Sequence, residues 1–222
     1  MDEKIIFWFF AAIVVFIILM LATRVSSKRA KEDATLKAYG SIGEKIVGKR
    51  LKRSGFMRNY KYLNNVYFPL YDSTTQIDHI VIGSFGVLVV ETKNFSGEVY
   101  GNPAEKDWLQ VKKGIRRSFY NPIMQNKTHV DNIRHIFAEE EIYNVKVYSL
   151  VVFADKKLEL NVPPGCFVVK INKLKRELKR QIYRVDNGVD VNLVYQTLQR
   201  HRIESKKVES KHNRDVRKAS KH

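Results

Sequence analysis

Hydrophobic and polar residues follow a strand-like pattern through residues 76–93, with a break in the middle. The stretch Gln76–Ile82 is rich in β-branched residues and partly alternates between apolar and polar positions, and Val87–Lys93 contains a second apolar run. Between them, Gly83–Gly86 carries two glycines, which favour a tight turn. The pattern therefore predicts a β-hairpin across these residues.

The alternation also decides which side chains of the hairpin lie together. Side chains of a strand point to opposite faces in turn, so Glu91 and Lys93 share one face of the second strand. If Gly83 pairs with Gly86, the same register places Asp78 opposite Glu91. Two carboxylates and one lysine are therefore expected close together.

Similar patterns along the rest of the chain predict alternating strands and helices. Apolar residues spaced three and four apart predict helices, and short apolar runs bounded by glycine or proline predict strands. The predicted helices begin near Ser41, Asn121, Leu174 and Val191, further strands cover 60–70, 145–153 and 167–171, and a second hairpin covers 108–117. The apolar stripe of the first helix consists of Ile42, Ile46, Val47 and Leu51. This order predicts an α/β fold with a central mixed sheet.

Residues 5–22 form an uninterrupted, uncharged and strongly apolar run. As a helix this run is roughly 27 Å long, which just spans a bilayer. Asp2 and Glu3 precede it, so an uncleaved anchor is expected rather than a signal peptide. Lysines and arginines concentrate after the run, which predicts a single-pass protein of the cell membrane with its N-terminus outside and the following residues in the cytoplasm.

Composition divides the remainder of the chain into three parts. A charged connector covers residues 24–39, one domain covers 40–203, and a basic tail covers 204–222, after an anchor at 1–23. The basic residues of the connector are expected to contact anionic lipid headgroups. The tail is rich in lysine and arginine with few apolar residues, a composition typical of an unstructured segment.

The chain is strongly basic as a whole. Its net charge is +17 and its sequence pI is about 9.9, which favours nucleic acid or an anionic membrane surface as the partner. The single cysteine, Cys166, excludes an internal disulfide and favours a reducing compartment. The sequence contains no glycine-rich phosphate loop, zinc-ligand spacing or serine nucleophile motif.

The paired acids of the hairpin suggest a metal site. Two adjacent carboxylates repel each other unless a cation lies between them, and hard oxygen ligands favour Mg²⁺ or Mn²⁺. Such an ion lowers the pKa of a bound water, and Lys93 would orient that water or neutralise charge on a phosphate. The alternative is a structural hairpin in which Lys93 only forms a salt bridge with Glu91 or Asp78.

The segment from Gly40 to about Asp155 resembles the nuclease-related domain (NERD) family, a branch of the PD-(D/E)xK restriction-endonuclease-like nucleases. The resemblance is carried by Gly43-Glu44, Gln76–Ile80, Gly86–Asn94, Gly97, Trp108, and Asn121-Pro122 with Gln125. It implies a restriction-endonuclease-like mixed sheet flanked by helices, Mg²⁺-dependent cleavage, and a catalytic core of Asp78, Glu91 and Lys93. Ile77 stands where the wider superfamily has proline.

The resemblance also implies supporting roles for three other residues. The Thr92 carbonyl adds a metal ligand, Glu44 supports a metal position from the first helix, and Gln125 contacts the substrate or orients active-site groups. For Glu44 the alternative is a favourable interaction with its own helix N-terminus. His129 lies four residues after Gln125 on the same helix face, so it is either a substrate contact or a partly exposed histidine without a ligand.

The second hairpin has a cationic turn. Lys112, Lys113, Arg116 and Arg117 are expected to hold nucleic-acid phosphates, although a simply solvated turn is the alternative. The sequence thus predicts a membrane-anchored, metal-dependent nuclease, with DNA favoured over RNA. The alternative is a catalytically silent nucleic-acid-binding tether or membrane-associated interaction module on the same fold.

Overall fold

The computed structural model describes residues 19–20, 22–23, 26, 34–35, 38–53, 60–71 and 73–204. The chain divides into two units, Met1–Ser41 and Ile42–His222, and the described residues of the first are all helical. No helix within these described ranges is long and apolar enough to cross a membrane. The predicted anchor at 5–22 and the predicted basic tail lie almost wholly outside the described residues, so both stay predictions.

The second unit is an α/β domain with two mixed sheets. Its elements are α1 (helical residues 42–53), β1 (Lys61–Leu70), β2 (Ser73–Gly83), β3 (Gly86–Lys93), β4 (Glu98–Tyr100), β5 (Asp107–Lys112), β6 (Ile115–Tyr120), α2 (Pro122–Glu139), β7 (Val147–Phe153), β8 (Glu159–Asn161), β9 (Val168–Lys170), α3 (Leu174–Glu177) and α4 (Val191–His201). The larger sheet has the order β1-β2-β3-β7-β9, and the smaller has the order β6-β5-β4-β8. The predicted mixed sheet is confirmed, and the second sheet is an addition to it.

The hairpin of β2 and β3 has the predicted register. Gly83 pairs with Gly86 and His79 pairs with Val90 in an antiparallel ladder. Gly86 has φ +129, and a Cβ added there would lie 2.2 Å from the Lys146 carbonyl oxygen, so only glycine fits the turn. β7 then pairs with β3 in parallel, which buries the hairpin in the middle of the sheet.

Helices cover both faces of the larger sheet. On one face, Val130 and Ile133 of α2 pack with Ile80 and Val89 of the sheet. On the other face, α1 contributes Val47 and Leu51 to a cluster that includes Val81, Leu88 and Val90. Thus the hairpin strands are apolar on both sides, and the catalytic candidates lie where this apolar run ends.

Two helix predictions need correction. Ile42 and Ile46 do not belong to the buried stripe of α1, because they are 50% and 42% exposed. The helix predicted to begin near Leu174 is present but short, since α3 is a single turn that ends at Glu177. Arg180 is extended with ψ 147 and breaks the helix, and the chain then forms a 3-10 turn at Gln181–Tyr183. This break brings Tyr183 into edge contact with core aromatics.

Gly101→Ala should destabilise the domain, because Gly101 touches a buried tryptophan ring. A Cβ at this position would lie 2.1 Å from Trp108 Cδ2, and Trp108 is held by a hydrogen bond from its Nε1 to the Asn102 carbonyl oxygen. Forced overpacking of this kind costs about 1–3 kcal/mol. We expect a loss of that size in the free energy of unfolding, measured by urea denaturation.

Gly40→Ala is the matched control for that measurement. A Cβ at Gly40 meets no atom within 4 Å, and residue 40 is helical. Alanine in a helix is favoured over glycine by about 0.5–1 kcal/mol, so this variant should be unchanged or slightly more stable. Equal stability of the two variants would contradict the role given to the Gly101–Trp108 contact.

Candidate active site

The predicted acids and lysine lie together where β2 and β3 run side by side. The Asp78 Oδ2 atom accepts a hydrogen bond of 2.8 Å from the backbone N–H of Thr92. Lys93 Nζ lies 2.8 Å from Glu91 Oε1. Asp78 is 9% exposed and Glu91 is 3% exposed, whereas the Lys93 side chain is 18% exposed. The lysine therefore stands at the open end of an otherwise buried acidic pair.

An irregular position in the neighbouring strand β1 lies directly across from Asp78. Asn64 pairs with His79 and Val66 pairs with Ile77, so Asn65 faces Asp78 without a shift in register. The φ of Asn65 is +50, a left-handed conformation that asparagine tolerates and that departs from regular strand geometry. The edge strand is therefore distorted at the level of the acidic pair.

Helix α2 supplies the side chains of Gln125 and His129 to the acidic site. Asn121 caps the helix by accepting from the Ile123 N–H, and Pro122 occupies its first turn. One turn further on, Gln125 Oε1 accepts a 2.7 Å hydrogen bond from Lys93 Nζ. The structure therefore brings Gln125 to Lys93, and the predicted role of Gln125 in the site stays a prediction.

His129 lies in the interior of the site and not on a substrate-facing surface. The residue is 4% exposed, and its Nε2 lies 3.3 Å from Glu91 Oε2. Its Nδ1 lies 3.0 Å from the Thr75 hydroxyl. The expected partial exposure of this histidine is therefore wrong, and its contact is with the Glu91 carboxylate. Thr75 itself carried no signal in the sequence.

Asn126 is a further residue that the sequence did not single out. Its Nδ2 lies within hydrogen-bond distance of the Val89 carbonyl oxygen at 3.1 Å, the Ser149 hydroxyl at 2.7 Å and the Leu150 carbonyl oxygen at 3.3 Å. These contacts join α2 to both β3 and β7. Asn126 therefore fixes the position of its neighbour Gln125 relative to Lys93.

Glu44 approaches the site from α1, on which it is half-buried. The approach depends on Gly43, because a Cβ there would lie only 2.6 Å from Asn94 Cβ at the end of β3. Burial and the nearby Glu91 charge raise the pKa of Glu44. The structure thus places Glu44 near Glu91, and its predicted supporting role stays a prediction.

The two central carboxylates have opposite electrostatic environments. Burial, followed by the charge of Glu91, raises the pKa of Asp78 to about 8, although the Thr92 N–H opposes this shift. Burial also raises the pKa of Glu91, but hydrogen bonds and charges from His129 and Lys93 outweigh it, and the net shift is downward. Glu91 is therefore the ionised partner, and the charge of Lys93 is too weak at Asp78 to offset the burial of that carboxylate.

The donors at this site fit a hard divalent cation. The buried Glu91 Oε2 has only the 3.3 Å contact with His129 Nε2 among the described residues, and burial of Asp78 is only partly offset, so a cation would relieve both. In the described ranges, no group of three or more His, Cys, Asp or Glu residues is arranged to hold a metal, and the metal role of Glu44 stays a prediction. Mg²⁺ commonly binds through one or two carboxylates with water and substrate phosphate as its remaining ligands.

The predicted basic hairpin is present, but it belongs to the smaller sheet. Strands β5 and β6 pair through Lys112 and Ile115, with Lys113 and Gly114 both at positive φ in the turn. The side chains of Lys112, Lys113, Arg116 and Arg117 are all exposed. Their exposure agrees with the expected contact with phosphates, which stays a prediction.

Comparison with known proteins agrees with this architecture. Residues 39–154 match the family model described as nuclease-related domain. The chain is also 29% identical over 213 residues to an uncharacterized protein of Bacillus anthracis, a match that covers 90% of this chain and 94% of that protein. No solved structure matches the chain. Because the family match covers more than half of the 222 residues, the chain belongs to the nuclease-related domain family.

Proposed function

We propose that the chain is a metal-dependent nuclease that hydrolyses phosphodiester bonds of nucleic acid, with DNA as the favoured substrate. The observation that carries this proposal is the Lys93 ammonium held between Glu91 and Gln125, beside the buried Asp78 carboxylate. Family membership supports a nuclease-related function. Anchoring at the cell membrane through residues 5–22, with the domain in the cytoplasm, is the second part of the proposal and rests on the apolar run.

The proposed roles follow from the contacts of each side chain. Asp78 and Glu91 would hold Mg²⁺ or Mn²⁺, with the Thr92 carbonyl as an additional ligand. When bound, the ion supplies Lewis acidity to the phosphate and lowers the pKa of a ligated water. Lys93 has three N–H donors, and Glu91 and Gln125 engage two of them. The third donor is left to bind the attacking water or a phosphate oxygen.

A nuclease assay with the full chain tests this proposal. The protein, kept in neutral detergent because of its apolar residues 5–22, is incubated with duplex DNA, single-stranded DNA and RNA. We expect cleavage with Mg²⁺ or Mn²⁺, no cleavage with EDTA, and faster cleavage of DNA than of RNA. Glu91→Gln, which keeps the side-chain size but removes the charge, is the control for a contaminating nuclease. Lack of cleavage with every metal and substrate would contradict the proposal.

A second candidate function is a silent nucleic-acid-binding tether. The direct Lys93–Glu91 ion pair favours this function, because the same contact would stabilise a hairpin that carries out no catalysis. Calorimetry distinguishes the two candidates. A tether should bind nucleic acid without a divalent ion and give no heat of Mg²⁺ or Mn²⁺ binding, whereas a nuclease should bind the ion and lose that heat in Glu91→Gln.

A further inference from the structure

A basic groove lies between α1 and the edge strand β1. Its volume is about 410 Å³, and its wall on α1 carries four exposed cations while Gly48, Tyr62 and Asn64 complete the lining. The four cations are Lys45, Lys49, Lys52 and Arg53. We refer to this surface as the α1 groove.

The four cations form one stripe of the helix. Positions 45, 49, 52 and 53 are separated by four, three and one residues, so the side chains share a face. In the part of the chain that the structure describes, none of the four is within salt-bridge distance of a carboxylate. Like charges one turn apart repel each other, which disfavours such a stripe unless an anion compensates it. The groove therefore has the charge pattern of an anion-binding surface.

Tyr62 gives the groove a fixed aromatic wall. Its hydroxyl lies 2.8 Å from His79 Nδ1 and 3.0 Å from Asn64 Oδ1, and Lys52 Nζ lies 5.0 Å from the centre of its ring. A Cβ at Gly48 would lie 2.7 Å from the same hydroxyl, so glycine lets α1 approach the strand here. Cations beside a positioned aromatic ring are the combination that binds the backbone and bases of a nucleic-acid strand.

The groove adjoins the acidic site through strand β1. Asn64 in the groove pairs with His79, the residue after Asp78, and the exposed Asn65 lies opposite Asp78. Burial raises the pKa of Tyr62, and the charge of Asp78 is close enough to raise it further. A strand with its scissile phosphate at Asp78 therefore reaches the groove by passing over Asn65.

We propose that the α1 groove binds backbone phosphates of the nucleic-acid strand next to the scissile bond, with Lys49 and Lys52 as the central contacts. This proposal rests on the proposed nuclease function, to which it adds a strand-binding surface separate from the basic hairpin of β5 and β6. Anionic lipid is the competing ligand for a basic surface. The concave shape, the aromatic wall and the position beside Asp78 favour nucleic acid.

Binding of a fluorescent oligonucleotide by the full chain tests the groove. All variants carry Glu91→Gln to prevent cleavage and are kept in neutral detergent with EDTA. Lys49→Glu/Lys52→Glu should weaken binding at least about tenfold, and the slope of log affinity against log salt should fall by about 1.5. Lys49→Gln/Lys52→Gln should show the same direction with a smaller loss. Circular dichroism checks that each variant is folded.

The matched control is Lys175→Glu/Lys179→Glu. It changes the net charge equally, but these exposed lysines follow β9, at the opposite edge of the sheet from β1. Both variants retain the basic C-terminal residues, so any binding by those residues is the same in both. The groove variant should therefore bind the oligonucleotide more weakly than this control. Equal affinities of the two variants for the oligonucleotide would overturn the proposal. A groove variant that differs from the control only in binding to phosphatidylglycerol micelles would overturn it as well.

Failure of the groove and failure of the nuclease proposal give different results. If the chain with native Glu91 cleaves DNA and the groove variant binds like its control, only the groove proposal is overturned. If the chain with native Glu91 cleaves nothing, the nuclease proposal fails. The groove proposal is still supported in that case if the groove variant loses oligonucleotide binding relative to its control.

Discussion

Lys93→Ala should reduce metal-dependent DNA cleavage by about 10²–10⁴-fold, which is the usual contribution of a positioned proton-handling or charge-stabilising group. The Lys93 side chain is more exposed than either central carboxylate, and its ammonium is held between Glu91 Oε1 and Gln125 Oε1. Alanine removes the donor directed at the water or phosphate but leaves both carboxylates. Single-turnover cleavage of duplex DNA by the full chain measures the loss.

Two further variants separate the role of Lys93 from a general loss of charge. Lys173→Ala removes an exposed lysine next to α3 and should leave the rate unchanged. Gln125→Ala should reduce the rate by about 10–100-fold, the range for a residue that positions a catalytic group. Its effect should be on kcat more than on KM, because Lys93 and Glu91 still pair without it. Cleavage by Lys93→Ala at the wild-type rate would rule out the assigned role.

Asp78→Asn should stabilise the metal-free chain, by an amount that grows with pH. The pKa of Asp78 is about 8 in the folded state, above its ordinary value of 3.8, so the folded state binds the proton more tightly than the unfolded state does. As pH rises from 4 to 8, the unfolded state ionises first, and the free energy of unfolding falls. Asparagine keeps an oxygen that accepts the hydrogen bond from the Thr92 N–H, and it removes the cost of ionising a buried carboxylate.

The measurement compares urea denaturation of Asp78→Asn and of the unsubstituted protein, in EDTA and at several pH values. At pH 8, Asp78→Asn should be more stable by about 2 kcal/mol or more, since each unit of pKa shift corresponds to about 1.4 kcal/mol. Near pH 4 the difference should vanish. Asp107→Asn, an exposed acid on β5, is the control and should give a small difference at every pH. A stability difference that does not vary with pH would contradict the burial argument for Asp78.

The hairpin and its register could be predicted because they depend on local information. Strand alternation determines which residues share a face, and the glycines at 83 and 86 determine where the chain turns. Together these features were sufficient to bring Asp78, Glu91 and Lys93 together. The cap of α2 at Asn121-Pro122 was predictable for the same reason.

Contacts across the sheet could not be predicted from the pattern. The approach of His129 to Glu91 depends on how α2 lies over β3, and hydrogen bonds from Asn126 to β3 and β7 set that position. The smaller sheet was missed because β4 and β8 contain only three residues each, too few to show a period. The pattern wrongly assigned Ile42 and Ile46 to the buried stripe of α1, because helical spacing alone cannot show where the core ends.

The left-handed residue Asn65 has a consequence for self-association of the chain. β1 is an edge strand of the larger sheet, and a long regular edge offers unpaired N–H and C=O groups to a second copy. Asn65, with its φ of +50, makes that edge irregular at the level of Asp78, and further along the Ile203 N–H donates to the Tyr67 carbonyl oxygen. The same irregularity that borders the acidic pair therefore also protects the sheet from intermolecular strand pairing and aggregation.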